Sequence, residues 1–203
     1  MEKGERKNVY QVYNKIGDWF AGNRYADSVE RVYLDAIIEQ LPPNASMLDV
    51  GCGNGKPILE YFIKHNIHVV GIDGSEKMIE LARNNFPDTR LMLLDMRQLQ
   101  LDEKFDVLIA WHSFFHLPAE DQPEMFEIFR NHLKPDGFLL FTSGTERGEA
   151  WGMNGGENLF HASLATEEYR SLLESNHFVV LKHQVNDPDC GGANVWMAQY
   201  KPQ

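Results

Sequence analysis

The 203-residue sequence contains only two cysteines, Cys52 and Cys190, and no apolar run approaches the length of a membrane span. Cys52 lies within a glycine-rich turn, which makes a disulfide unfavourable and indicates a reducing compartment. Residues 1–7 are mostly charged and lack the apolar core of a signal peptide. These absences predict a cytoplasmic protein that neither crosses nor binds a membrane.

Positive charge is also scarce, with 19 Lys and Arg against 30 Asp and Glu and a net charge of −11. An acidic surface repels phosphate backbones, and no cluster of Lys and Arg offsets it. The composition therefore predicts a small-molecule partner and no nucleic acid. Hydrophobic residues make up 43% of the chain, enough for a globular core.

Glycine is concentrated where an apolar segment, residues 47–50, runs into Gly51, Gly53 and Gly55. Glycines at alternate positions permit a tight turn and let the backbone approach a ligand closely. Asp73 follows a second apolar segment, twenty residues after Gly53. This spacing places a carboxylate where a ribose would lie, and it indicates an adenosine-containing cofactor.

The spacing of the glycines separates the candidate cofactors. Nicotinamide and flavin sites prefer G-x-G-x-x-G/A, but Lys56 occupies the last position of that pattern here. The phosphate-binding pattern G-x-x-x-x-G-K-[ST] does not occur. A nicotinamide-dependent oxidoreductase therefore stays as a disfavoured alternative, and a non-catalytic regulatory module that binds the cofactor or its product is a second one.

With the G-x-G-x-G turn and the acid that follows it, the chain resembles the class I S-adenosylmethionine-dependent methyltransferases. The resemblance is strong over residues 45–145 and looser to about residue 200, where the tail resembles uncharacterised small bacterial members. It implies S-adenosylmethionine as cofactor and O- or N-methylation of a small-molecule acceptor.

The resemblance also assigns roles to residues. Asp49 would bind the ammonium group of the cofactor, Asp73 the ribose hydroxyls, and Asp95 the adenine amine. The backbone N–H groups of residues 51–55 would approach the methionine portion of the cofactor. The full predicted cofactor set is Asp49, Gly51, Cys52, Gly53, Gly55, Asp73, Gly74, Met78, Asp95, Met96, Trp111, Trp19 and Arg24.

Catalytic candidates lie after the fourth apolar segment, which in this class ends near the transferred methyl group. His116 is the better general base, because imidazole can accept a proton from an attacking hydroxyl, and His112 is the second candidate. The two histidines are four residues apart, a metal-ligand spacing, but no further ligand set accompanies them, so we predict no metal. His161 is a candidate for the substrate pocket.

Apolar strands alternate with amphipathic helical segments along the chain, which predicts a parallel sheet with helices on both faces. The expected fold is an α/β Rossmann-like three-layer sandwich with a seven-stranded, mostly parallel sheet and an antiparallel C-terminal strand. Residues 143–163 are expected to form a loop. We predict a single domain over residues 1–203, with an N-terminal helical cap (1–25) and a Rossmann-like core (45–200).

Overall fold

The structure is a computed structural model that describes residues 3–23 and 29–202, with side chains from residue 5 onward. Arg24, one of the predicted cofactor residues, lies outside the described residues. The α-helices of the described part are α1 (Tyr10–Asn23), α2 (Arg31–Ile38), α3 (Ile58–Lys64), α4 (Glu76–Asn85), α5 (Gln122–Asn131) and α6 (Thr166–Ser175). Short 3-10 helices are formed by Lys3–Arg6, Met96–Gln98, Phe114–His116 and Pro188–Cys190.

The main sheet has seven strands in the order β3-β2-β1-β4-β5-β9-β8. Its strands are β1 (Ser46–Val50), β2 (His68–Asp73), β3 (Arg90–Leu93), β4 (Phe105–Ala110), β5 (Leu133–Ser143), β8 (Phe178–Asp187) and β9 (Ala193–Tyr200). Strands β1 to β5 pair in parallel, whereas β9 is antiparallel to both β5 and β8. The predicted fold class is therefore confirmed.

Side chains alternate between the two faces of this sheet, as the pleat of a strand requires. Leu48 and Val50 of β1 enter one buried cluster with residues of α1, α5 and α6, whereas Met47 enters a second cluster with α2, α3 and α4. Because both faces are covered, the central strands are apolar along almost their whole length. The strand order reverses between β1 and β4, and ligands of such sheets bind beyond the carboxyl ends of the strands at this point.

The prediction that residues 143–163 form a loop is wrong. This segment contains a second, two-stranded antiparallel sheet of β6 (Gly148–Asn154) and β7 (Glu157–Ser163). Strand β6 is almost wholly exposed, so it carries no apolar alternation that would have indicated a strand. Gly155 and Gly156 form the turn with φ of +56° and +86°, the two-glycine signal of a tight hairpin.

Strand β5 begins at Leu133, and its register against β4 shifts between Phe105 and Val107, opposite residues 134–137. Helix α2 begins at Arg31, and helix α3 begins at Ile58, directly after Pro57.

Helix α1 packs against α4 and against β7 of the hairpin. The Asn14 Oδ1 accepts hydrogen bonds from Ser75 Oγ (2.7 Å) and from the Lys77 backbone N–H (3.2 Å) at the start of α4. Lys15 Nζ lies 3.2 Å from the Glu157 carboxylate on the β6–β7 hairpin. Helix α1 therefore joins the start of α4 to the hairpin, while the division into a cap (1–25) and a core (45–200) stays a prediction.

No helix among the described residues is both long and apolar enough to cross a membrane. The cytoplasmic location stays a prediction.

Candidate functional site

The glycine turn after β1 has a conformation that other residues rarely adopt. Gly51, Gly53 and Gly55 have φ of +80°, +56° and +82°. A Cβ added to Gly51 would lie 2.3 Å from the Cβ of Ser113, whereas a Cβ on Gly53 would meet only the Phe20 ring, at 3.9 Å. Gly51 is therefore required by both its backbone angle and its packing, and Gly53 leaves open space beside Phe20.

The backbone N–H groups of this turn donate within the protein. Those of Gly51 and Cys52 donate to the Ile72 carbonyl (2.8 and 2.9 Å), and that of Gly55 donates to the Cys52 carbonyl (3.0 Å). The Gly53 N–H donates to the Asp73 carboxylate (2.9 Å). In this arrangement the glycines make room for a ligand, the N–H groups of residues 51–53 hold the turn against β2, and that of Gly55 closes the turn on itself.

Asp73 lies half-buried at the end of β2, beside the glycine turn. Its Oδ2 accepts the Gly53 N–H (2.9 Å), and its Oδ1 accepts the Ser75 N–H (2.8 Å). Desolvation by burial raises the pKa of Asp73 to about 6, and the hydrogen bonds from Ser75 and Gly53 partly oppose this rise. Two backbone donors therefore fix the orientation of the carboxylate, and each oxygen keeps a further lone pair for a ligand.

A first cavity of about 670 Å³, including its open mouth, extends from the glycine turn over the ends of β2 and β3. It brings together seven of the predicted cofactor residues and both catalytic candidates. Its lining is formed by Gly51, Gly53, Asp73, Gly74, Met78, Asp95, Met96, His112, Ser113, His116, Leu117, Arg97, Lys7, Val9, Tyr10, Tyr13 and Phe20.

Asp95 is at the predicted place in this cavity, but its carboxylate is already engaged. It accepts hydrogen bonds from Arg97 Nη2 (2.6 Å) and from the Arg97 backbone N–H (3.0 Å). Arg97 also contacts Asp121 (3.0 Å) and the Asn8 side chain (3.2 Å). The carboxylate groups of Asp95 and Asp121 raise the pKa of the Arg97 guanidinium. This network joins the residues before α1 to the cavity wall.

Other predicted cofactor residues lie outside the first cavity. The Cys52 side chain is buried in the second core cluster, and burial raises the pKa of its thiol. A Cβ on Gly55 would meet the Phe86 ring at 2.6 Å, so this glycine serves the turn. Asp49 and Trp111 are buried in β1 and directly after β4. Trp19 is 43% exposed and lines a different cavity.

That second cavity adjoins the first and shares four lining residues with it, namely Tyr13, Phe20, His112 and His116. It encloses about 890 Å³, including open space at its mouth. The rest of its lining comes from α1, the residues just before α2, the segment after β4 and the β6–β7 hairpin. These residues are Trp19, Asn23, Val29, Glu30, Phe115, Asn154, Leu159 and His161.

The shared wall contains a hydrogen-bonded pair, Tyr13 and His116. His116 Nδ1 lies 2.8 Å from the Phe160 carbonyl, and its Nε2 lies 2.9 Å from the Tyr13 hydroxyl. A carbonyl only accepts, so Nδ1 carries the proton and Nε2 accepts from Tyr13. Burial and the neighbouring His161 lower the pKa of His116 to about 3. His116 is therefore a neutral imidazole whose tautomer is fixed by β7.

Two further histidines, His112 and His161, line the second cavity with this pair. His112 adopts φ of +49° after β4, and its backbone N–H donates to Thr142 Oγ1 (2.9 Å). The ring centroid of His161 on β7 is 4.8 Å from that of His116, and burial lowers the pKa of His161. Over residues 3–23 and 29–202, no group of three or more His, Cys, Asp or Glu side chains is arranged to hold a metal ion.

Sequence reasoning missed several lining residues. Tyr10 packs on Gly74, where an added Cβ would lie 2.8 Å from its ring, and Ser113 donates to the Val50 carbonyl (2.6 Å). Glu30 borders the second cavity and is only 3% exposed. No local pattern marks these residues, because the fold brings them to the site from separate elements.

The sequence and the fold were compared with those of known proteins. Residues 47–137 match a family model described as "Methyltransferase domain". This match begins in β1 and ends within β5, so it contains the glycine turn, Asp73, Asp95, His112 and His116. It leaves out α1 and the hairpin, which contribute much of the second cavity.

Among curated relatives, the dTDP-3-amino-3,4,6-trideoxy-alpha-D-glucopyranose N,N-dimethyltransferase of Streptomyces venezuelae is 31% identical over 121 residues. That alignment covers 59% of this chain and 50% of the relative. The tRNA (carboxymethyluridine(34)-5-O)-methyltransferase of Saccharomyces cerevisiae is 32% identical over 149 residues, or 72% of this chain and 51% of the relative. The chain thus spans about half the length of these relatives.

A solved structure shares the fold over nearly the whole chain. The 1,6-didemethyltoxoflavin-N1-methyltransferase of Burkholderia thailandensis, bound to 1,6-didemethyltoxoflavin and S-adenosylhomocysteine, superposes with a TM-score of 0.73. The superposition covers 96% of this chain and 88% of that one at 18% sequence identity, a level at which the likeness concerns the fold.

Proposed function

We propose that this chain, which belongs to the class I S-adenosylmethionine-dependent methyltransferases, transfers a methyl group to a small-molecule acceptor. The observation that carries the proposal is the pair of adjoining cavities with one shared wall. The first cavity holds the cofactor, the second holds the acceptor, and the methyl group crosses between them beside Tyr13 and His116.

The residues of the first cavity fit this cofactor. The bare backbone of Gly53 leaves room beside Phe20, and Asp73 offers two oriented carboxylate oxygens for a ribose. Gly74 and Met96 would hold the adenine end of the cofactor, and Gly51 and Gly53 the methionine end; all four residues line the cavity. Asp95 would border the adenine end, with its carboxylate held by Arg97.

When bound, the cofactor supplies a methyl group on a sulfonium sulfur, which transfers by direct in-line displacement. The work of the protein is to align the acceptor and to exclude water. The Tyr13 hydroxyl donates a hydrogen bond to His116 Nε2, and a hydroxyl oxygen that donates can also accept a hydrogen bond from the nucleophile. The Phe160 carbonyl holds His116 in the tautomer that keeps Tyr13 in this orientation.

The second cavity favours an enzyme over the alternative of a regulatory module that only binds the cofactor. A binding module needs no chamber on the far side of the transferred group. The curated relatives include both N- and O-methyltransferases, and one acts on tRNA by its name. We propose a small molecule because net charge is −11 and because the described lining of the second cavity carries no Lys or Arg.

Calorimetric titration with S-adenosylhomocysteine, with NADH as the control, tests the cofactor. We expect saturable binding of S-adenosylhomocysteine and none of NADH. Binding of NADH alone would overturn the proposal in favour of an oxidoreductase. Release of S-adenosylhomocysteine from S-adenosylmethionine, stimulated by members of a small-molecule panel, then separates an enzyme from a binding module.

A further inference from the structure

Gln122 is a completely buried polar residue that lines neither cavity. It is the first residue of α5. A buried side-chain amide is costly unless its donors and its acceptor have partners. Here Gln122 Nε2 donates to the Leu117 and Ala162 carbonyls, each at 3.0 Å. Its Oε1 accepts from the Tyr169 hydroxyl at 2.7 Å. Because two carbonyls face Nε2 and a carbonyl only accepts, the orientation of the amide is fixed.

The Ala162 carbonyl belongs to an edge of β7 that no other described strand covers. Among the described residues, β7 pairs with β6 alone, in a two-stranded sheet. His116 Nδ1 lies 2.8 Å from the Phe160 carbonyl, two residues before Ala162. Carbonyls two residues apart on a strand point toward the same edge. His116 and Gln122 therefore bind β7 side by side, where a neighbouring strand would otherwise donate its N–H groups.

Tyr169 of α6 anchors the Gln122 amide from a third element. The Tyr169 hydroxyl donates to Gln122 Oε1, and its oxygen accepts the Leu164 backbone N–H at 3.0 Å. Leu164 follows directly after β7, and Tyr169 is completely buried. Hydrogen bonds that share partners strengthen one another in a low-dielectric interior. This network therefore fixes the position of β7 relative to the segment after β4.

The position of β7 matters because it selects the tautomer of His116. A hydroxyl can donate to an unprotonated Nε2 or accept from a protonated one, so the 2.9 Å contact with Tyr13 suits either tautomer. The Phe160 carbonyl only accepts, and it therefore requires a proton on Nδ1. Burial lowers the pKa of His116 to about 3, which keeps the ring neutral. The tautomer thus depends on where β7 places Phe160.

Resting on the proposed function, we propose that Gln122 is a positioning residue for the shared wall. By holding β7 against the segment after β4, it keeps His116 in the Nδ1–H tautomer and the Tyr13 hydroxyl as donor to Nε2. A side chain without N–H donors at this position would leave the Leu117 and Ala162 carbonyls unpaired in the interior. Strand β7 could then move away from His116, and the orientation of the Tyr13 hydroxyl toward the nucleophile would be lost with it.

The test is nitrogen NMR of His116 in the full-length wild type and in Gln122→Met, whose side chain has a similar length and no N–H donor. The His116 signals are assigned by their loss in His116→Gln. We expect the Nδ1–H tautomer to predominate in the wild type. In Gln122→Met the ratio of Nδ1–H to Nε2–H should fall about fivefold, which corresponds to a hydrogen bond of about 1 kcal/mol. A predominant Nε2–H form in the wild type, or a folded variant with the wild-type ratio, would overturn the proposal.

Tyr169→Phe decides the question if Gln122→Met does not fold. It is the milder change, because it removes one hydroxyl and keeps both Gln122 donors, and it should lower the same ratio by a smaller factor. Tyr33→Phe is the matched control. It removes another buried hydroxyl, which donates to Asp187, and Tyr33 packs in the second core cluster whereas Tyr169 packs in the first.

The control should lose stability and keep the wild-type tautomer ratio. An equal shift in Tyr33→Phe would show that the ratio follows stability in general, and it would contradict the positioning role. An unchanged ratio in Tyr169→Phe, where that variant has to decide, would contradict it as well.

The two proposals fail separately. Wild-type protein that does not bind S-adenosylhomocysteine contradicts the proposed function. Protein that binds S-adenosylhomocysteine, but whose His116 keeps its tautomer ratio in Gln122→Met, contradicts only the role of Gln122.

Discussion

The two cavities are built in different ways. Much of the first cavity comes from one short stretch, in which the turn after β1 and the ends of β2 and β3 lie within fifty residues of sequence. The second cavity combines α1, the residues just before α2, the segment after β4 and the β6–β7 hairpin, and Glu30 and His161 in it are separated by more than a hundred residues.

This difference indicates whether backbone or side chains determine the shape of each cavity. In the first cavity, backbone shape dominates, because glycine angles and backbone hydrogen bonds to Asp73 define the space. In the second cavity, side chains dominate, because aromatic rings, imidazoles and Glu30 form the wall. A backbone-built site tolerates few substitutions, whereas a side-chain-built site can change its ligand without changing the fold.

We expect the largest effect from Gly51→Ala, because it changes the backbone of the glycine turn that shapes the first cavity. The new Cβ would lie 2.3 Å from the Ser113 Cβ, and the residue would have to keep φ near +80°. We expect a loss of unfolding free energy of about 3 kcal/mol or more, together with loss of S-adenosylhomocysteine binding. Urea denaturation and calorimetry measure the two quantities.

Gly22→Ala is the matched control for that variant, since a Cβ at this exposed position in α1 would meet nothing within 4 Å. It should leave unfolding free energy unchanged or slightly raised. If Gly51→Ala were as stable as this control and still bound the cofactor product, the backbone-built description of the first cavity would be wrong.

Next in size is Asp73→Asn. The amide nitrogen would face one of the two backbone N–H donors of Gly53 and Ser75, and the charge that orients the ribose would be gone. We expect affinity for S-adenosylhomocysteine to fall roughly 100-fold, the loss expected from two hydrogen bonds to a charged group. The exposed Asp88→Asn is the control, and equal affinities of the two variants would refute the ribose role.

The pH dependence of the same group provides an independent check. Burial raises the pKa of Asp73 to about 6, so the carboxylate gains a proton as pH falls through that value. Because the protonated form has lost acceptor capacity, wild-type affinity should decrease below about pH 6 and stay constant above it. Calorimetry between about pH 5 and 8 covers the range around that pKa. Over this range, the affinity of Asp73→Asn for S-adenosylhomocysteine should not change with pH.

The smallest effect is expected from Tyr13→Phe on the shared wall. It removes one hydrogen bond, 2.9 Å long, to His116 Nε2 and should cost about 1 kcal/mol of unfolding free energy. In the wild type, His116 should stay neutral at pH 5, because its lowered pKa of about 3 lies well below that value. Nitrogen NMR of the imidazole reports both its protonation and its hydrogen bond.

A wild-type His116 that titrates near 6.5, the ordinary value for histidine, would contradict the neutral, tautomer-fixed imidazole. A Tyr13→Phe spectrum identical to that of the wild type at Nε2 would contradict the hydrogen-bonded pair. Either result would contradict the description of the shared wall as a hydrogen-bonded pair of Tyr13 and a neutral His116.

Prediction from sequence was most successful where structure is local. The glycine turn, Asp73 and the alternation of strands and helices are short patterns with one physical meaning, and they located the sheet and the first cavity. The hairpin was missed although Gly155 and Gly156 mark its turn, because the exposed strand β6 lacks apolar alternation. Trp19, one of the predicted cofactor residues, lines the second cavity and not the first, because helical spacing does not say which wall a residue of α1 meets.

The sequence by itself determined the fold class and the glycine–acid cofactor motif, because backbone angles and side-chain alternation act over a few neighbouring residues. Only the tertiary structure decided which side chains share a wall. Tyr13, His116, Glu30 and His161 come from separate elements, and their contacts depend on how α1 and the hairpin pack over the sheet. Packing joins distant residues through space, and no short-range pattern in the chain records that distance.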